Sequence, residues 1–103
     1  MNNKNNNYEF YNILKLLEKK PNTNQRDLAK TSNLSLGKIH YIIKELKKKG
    51  IIKVENFKQN KNKINYIYLI TPKGLKHKTK LAYFFLKKIS KEYDELKKDL
   101  KKK

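Results

Sequence analysis

The chain has no cysteine in its 103 residues, which excludes a disulfide framework and a thiolate zinc site. Glycine occurs only three times, and none of the three lies in a phosphate-cradling loop. Acidic residues number 9 against 27 basic ones. No carboxylates cluster and no nucleophile has a neighbouring base, so an enzyme is the weakest reading. The two histidines, His40 and His77, stand far apart without carboxylates beside them, and neither a metal site nor a cofactor is expected. The longest apolar run, Leu81 to Leu86, is far short of the ~20 residues of a membrane span. The opening "MNNKNNNYEF" lacks an apolar signal core, and residues 1–7 read as a disordered polar lead-in. A cytoplasmic protein is expected.

What remains is small and strongly basic. A hydrophobic fraction of 37% allows one domain with a limited core, so an element out of reach of that core needs a partner chain. The formal charge of +18 favours polyanions, nucleic acid first and an anionic membrane second. Of the 27 basic residues 26 are lysine, beside 13 asparagines and 10 isoleucines, a balance that AT-rich coding writes by default. Such a bias does not forbid glutamate, however, and acidic residues are scarce.

Four helical segments and two strands follow from periodicity and punctuation. Phe10, Ile13, Leu14 and Leu17 repeat at helical spacing between Tyr8 and Lys20, and Pro21 stops that helix. Asn24 is placed to cap a short helix from Gln25 to about Lys30, which buries Leu28 and Ala29. After the turn "TSNLS", Ser35 caps a third helix whose Leu36, Ile39, Ile43 and Leu46 form one expected buried stripe. Gly50 stands where a left-handed residue ends it. The stretches 51–57 and 64–70 are rich in β-branched and aromatic residues and read as a hairpin around the basic loop "KQNKNK".

Thr71-Pro72 opens the last helix. Along it Leu75, Thr79, Ala82, Leu86, Ile89, Tyr93, Leu96 and Leu100 alternate in steps of four and three, a heptad seam. Phe84, Phe85 and Leu81 widen the apolar surface at its middle. The expected fold is mainly α with a small β-hairpin wing. Residues 8–71 form a winged helix-turn-helix, and 72–103 form a long C-terminal dimerisation helix that pairs through Leu75, Ala82, Phe85, Leu86, Ile89, Tyr93, Leu96 and Leu100.

In such a unit the third helix enters the major groove of duplex DNA. Its outward face would carry Ser35, Gly37, Lys38, His40, Tyr41, Lys44 and Lys48. Lys38 and His40 have donors for guanine acceptors, and Tyr41 reaches a phosphate or a thymine methyl. Gly37 leaves room for close backbone approach. Gln25 and Arg26, together with Lys48 and the wing residues Lys58, Lys61 and Lys63, are placed for phosphate.

The segment "QRDLAKTSNLSLGKIHYIIKELKKKGIIK", followed by a basic loop and "YLITPKG", resembles the DNA-binding core of MarR-type winged-helix transcriptional regulators. It looks most like the small MarR-type regulators associated with exopolysaccharide gene clusters, and the resemblance covers about residues 8–100. It implies a reading role for Ser35, Lys38, His40, Tyr41 and Lys44, a phosphate role for Gln25 and Arg26, and a wing role for Lys61 and Lys63. It also implies a homodimer on a palindromic operator. The chain departs from larger members, which dimerise through extra helices at both ends and often hold a small effector. It also carries asparagines and lysines where their wing often has an aspartate–x–arginine tip. Two rival readings keep the same fold: a basic RNA- or ribosome-associated module, and a winged helix that works through protein contacts alone.

Overall fold

The computed structural model describes residues 3–60 and 63–102, with side chains described for 8–56 and 66–102. The element order is α1 (Asn3–Lys19), α2 (Gln25–Ser32), α3 (Leu36–Lys48), β1 (Ile52–Asn60), β2 (Lys63–Ile70) and α4 (Pro72–Lys101). This is the mainly helical architecture with a hairpin wing that the periodicity predicts. The backbone is helical from Asn3, whereas a polar lead-in was expected up to residue 7.

The helix boundaries follow local chemistry. Asn24 accepts a hydrogen bond from the Asp27 N–H at 2.8 Å and thereby caps α2. Asn33 closes α2 in the left-handed conformation, φ 60°, one that asparagine tolerates better than other side-chain-bearing residues. The Leu34 N–H then reaches back to the Ala29 carbonyl at 3.1 Å, fixing the turn into α3. At the end of α3 the Gly50 N–H bonds the Lys47 carbonyl and the Ile51 N–H bonds that of Leu46, at 3.0 and 2.9 Å. Gly50 itself has φ +73°. That is a Schellman closure, which favours glycine at this position.

The core gathers Phe10, Ile13, Leu14 and Leu17 of α1, Leu28 of α2, and Ile39, Ile42, Ile43 and Leu46 of α3. Ile51, Ile52 and Tyr68 complete it from the hairpin side. The α3 stripe differs from expectation at both edges. Ile42 is buried as well, in one core cluster with residues of α1, α2 and the hairpin, which widens the buried arc. Leu36 is 47% exposed, since it sits in the first turn and faces the hairpin across a gap.

β1 and β2 pair antiparallel, from Ile52 opposite Ile70 to Asn60 opposite Lys63, with an irregularity between Lys58 and Asn60. The strands therefore run past the expected limits of 57 and 64, and Lys58 and Lys63 lie on strand backbone rather than in the loop. Asparagine and lysine are poor strand formers, but the ladder carries them. The connection between α1 and α2 adds one further rung. Asn22 bridges Ile67, and the Tyr68 N–H bonds the Pro21 carbonyl at 3.0 Å.

α4 is fastened at its start. Thr71 Oγ1 accepts from the Gly74 N–H at 3.0 Å and donates toward the carbonyls of Gly50 and Ile51, at 2.6 and 3.1 Å. A side chain on Gly74 would overlap the Ile51 carbonyl oxygen, so glycine is required by close approach of α4 to the start of the hairpin. Further along, Leu81 and Phe85 are buried. The Phe85 ring packs on Tyr8 and Tyr11 of α1, with centroids 5.3 and 5.7 Å away. Lys78 pairs with Glu18 of α1 at 2.6 Å. Phe85 therefore does not belong with the expected pairing residues, because α1 already covers it within the chain. Of the expected pairing residues, Leu75, Leu86, Ile89, Tyr93, Leu96 and Leu100 are at least half exposed, with Ala82 half-buried beside them, and Tyr83 is 64% exposed as well. The molecule measures 66 × 27 × 26 Å, and a 30-residue helix about 45 Å long accounts for that elongation.

Candidate nucleic-acid interface

Three elements converge on one trough of about 750 Å³. Asn24, Gln25 and Arg26 come from the start of α2, and Leu36, Gly37, His40, Ile43 and Lys47 from one side of α3. Val54, Tyr66 and Tyr68 of the hairpin form the opposite wall. The floor is apolar, and the rim is cationic and amide-bearing. Tyr68 is buried, and the burial raises its phenol pKa above the ordinary 10.0, against a hydrogen bond with the Gln25 side chain that lowers it.

The outward ridge of α3 carries Gly37, Tyr41, Lys44 and Lys48, all exposed and at spacings of four, three and four. His40 lies between this ridge and the trough, with Lys44, Lys47 and Gln25 around it. Arg26 is exposed at the adjacent helix start. Of the expected reading residues, the structure thus brings Gly37, His40, Tyr41 and Lys44 together. Tyr41 also leans on the core, its ring 6.5 Å from that of Phe10, while remaining 38% exposed.

Two of the expected readers are partly engaged elsewhere. Ser35 Oγ accepts from the Lys38 N–H at 3.1 Å, so its lone pairs serve the helix cap and its O–H is what it has to donate. Lys38 turns toward α1. Its Nζ lies 3.6 Å from Glu9 Oε2 and 5.9 Å from the centre of the Tyr41 ring. Lys38 is the exception on the expected reading face, because a position one side of the ridge meets an acid on α1. In the wing, Lys61 lies outside the described residues, and the side chains of Lys58 and Lys63 do too.

Lys47 and Tyr66 were not expected in the site. Lys47 could have been found from spacing, since Leu36, His40, Ile43 and Lys47 step four, three and four along one side of α3. Tyr66 gives no such signal, because only the pairing register shows which face of β2 turns to α3. Among the described residues no group of His, Asp and Glu could hold a metal ion. No helix among them is long and apolar enough to cross a membrane.

Residues 11–53 match the family model for winged helix-turn-helix DNA-binding domains. The fold is a winged helix. Solved structures with the same fold include the PcaV transcriptional regulator from Streptomyces coelicolor, at 19% identity and TM-score 0.65, covering 77% of this chain and 57% of that one. A second is ZitR from Lactococcus lactis, a zinc-responsive MarR family member, at 20% identity and TM-score 0.62, covering 85% and 58%. ZitR in complex with DNA is similar at 18% identity and TM-score 0.58, covering 85% and 57%. The winged helix thus spans a little over half the length of these regulators. No curated protein matches the chain.

Proposed function

We propose that the chain is a MarR-like transcriptional regulator that binds duplex DNA as a homodimer, with α3 in the major groove and the hairpin along the backbone. The observation that carries this reading is the shared orientation of the exposed α3 ridge, the start of α2 and the hairpin wall, on a chain of charge +18. A groove about 12 Å wide admits one helix with its side chains. The rim cations then meet the flanking phosphates. His40, Tyr41 and Lys44 take the base edges, while Gln25, Arg26, Lys47, Lys48 and the wing lysines take phosphate. ZitR, a protein of the same fold, is known in complex with DNA, which supports DNA as the partner.

The exposed seam of α4 supports pairing, and two reading helices place half-sites about 10–10.5 bp apart, or a multiple of that, in a palindromic operator. Regulation of exopolysaccharide genes rests on the sequence resemblance alone, and mapping the protein on its genome tests it. The biochemical test is a shift assay on genomic fragments across a salt series. A preferred fragment is expected, with affinity falling steeply as salt rises because bound counterions are released. Equal affinity for all fragments removes sequence-specific regulation, and preference for structured RNA turns the reading to an RNA module.

A further inference from the structure

Among the described residues, Leu36 is neither part of the core nor packed against it. The buried arc of α3 consists of Ile39, Ile42, Ile43 and Leu46, while Leu36 stands 47% exposed at the mouth of the trough. Its neighbour Gly37 is equally unexplained from within. A Cβ added there meets nothing within 4 Å, and the residue does not adopt a positive φ. Glycine weakens a helix relative to alanine, so an internal reason would be needed to keep it, and none is present. Both residues occupy the first turn of α3, the part of a reading helix that approaches base edges.

We propose that Leu36 reads a thymine C5-methyl group, and that Gly37 lets the first turn come close enough for it to do so. The inference rests on the DNA-binding reading above. Leucine has no donor or acceptor, so it offers nothing to a guanine, adenine or cytosine edge. The thymine methyl is the one apolar feature in the major-groove code. The trough behind Leu36 continues the apolar surface through Ile43, Val54, Tyr66 and Tyr68, so a methyl entering its mouth leaves water on several sides. The cations on the rim hold the backbone without regard to sequence, so a methyl contact adds the discrimination they cannot supply.

The test begins with selection of binding sites from a randomised duplex pool by the full chain. Each dT of the enriched site is then replaced singly by dU, which removes only the methyl. One dT per half-site is expected to lose about fourfold in affinity on replacement, the worth of one buried methyl. The ratio should be the same at low and moderate salt, since no ion is released by this contact. Leu36→Ala, which removes the contact in both protomers, should bind the dT duplex about as the wild type binds a duplex with dU at the responsive position of both half-sites, and should not distinguish dT from dU. Its thermal midpoint should match the wild type, which separates a lost contact from a damaged fold. Gly37→Ala should keep or raise the midpoint while weakening binding. A site in which no dT responds to methyl removal overturns the proposal, as does a response that survives in Leu36→Ala. A pool that yields no enriched sequence overturns sequence reading by α3 altogether, which is a failure of the proposed function and not of the methyl contact alone.

Discussion

Helices α3 and α4 begin in the same way and end up in opposite surroundings. Each is capped by a hydroxyl, Ser35 or Thr71, that accepts an N–H three residues on. Each carries an apolar stripe at helical spacing. On α3 the stripe of Ile39, Ile42, Ile43 and Leu46 is at most 4% exposed, whereas Leu86, Ile89, Tyr93, Leu96 and Leu100 of α4 are 60–74% exposed. The contrast shows that periodicity marks a face to be covered without saying what covers it. Within one chain, residues of α1, α2 and the hairpin share one core with the α3 stripe, and among the described residues of α4 only Gly74, Leu81 and Phe85 are buried. The remaining apolar face is larger than single scattered exposures, and such faces mark interaction sites.

The strongest way to break this contrast is to charge the exposed stripe. Leu86→Glu with Ile89→Glu should give monomers by light scattering. Operator affinity should fall about a hundredfold or more, because the second half-site is no longer held at high effective concentration. Dimers that survive this change place the pairing surface elsewhere. The corresponding pair of alanine variants separates the two helices by stability. Leu46→Ala should cost about 2–5 kcal/mol in urea unfolding at any protein concentration, since it leaves a cavity in a closed core. Leu96→Ala should cost little at low concentration and progressively more as wild-type chains gain stability by association.

The smallest effect is one of pH and concerns the first turns of α4. Burial lowers the pKa of His77 below its ordinary 6.5, and Lys49, Lys80 and Lys73 lower it further. The unfolded chain therefore takes up this proton at a higher pH than the folded one. Stability contributed by neutral His77 is complete above 6.5 and is lost as the pH falls from there to the depressed value. Urea midpoints followed across that window should show a shallow decline in the wild type that is absent in His77→Gln.

Much of this architecture was legible in the residues themselves. The caps at Asn24, Ser35 and Thr71, the left-handed Gly50 and the α1 stripe all rest on local chemistry, which a sequence displays. The missed features depend on distant partners. The bridge from Asn22 to Ile67 is a single rung with no local pattern. Lys38 looks like any surface lysine until Glu9 on α1 comes beside it. Phe85 reads as part of the seam because its spacing nearly fits, and only the Tyr8 and Tyr11 rings show that its place is filled. Leu36 continues the core period, yet the core stops one turn short of it. In the candidate interface, the ridge of Gly37, Tyr41, Lys44 and Lys48 was readable as the face opposite the buried arc. The trough beside it was not, because its second wall is set by strand register.

The joint at Thr71 and Gly74 has a mechanical consequence. The start of α4 is pinned to the carbonyls of Gly50 and Ile51, just beyond α3, with no room even for a methyl group at Gly74. A long helix is a lever, and a tilt of about 5° at such a joint moves the far end of a 45 Å arm by about 4 Å. For two copies joined along their arms, that displacement is comparable with the rise of one base pair. Two hydrogen bonds and a missing side chain, far from any nucleotide, would then act as the gauge that sets how far apart two reading helices stand.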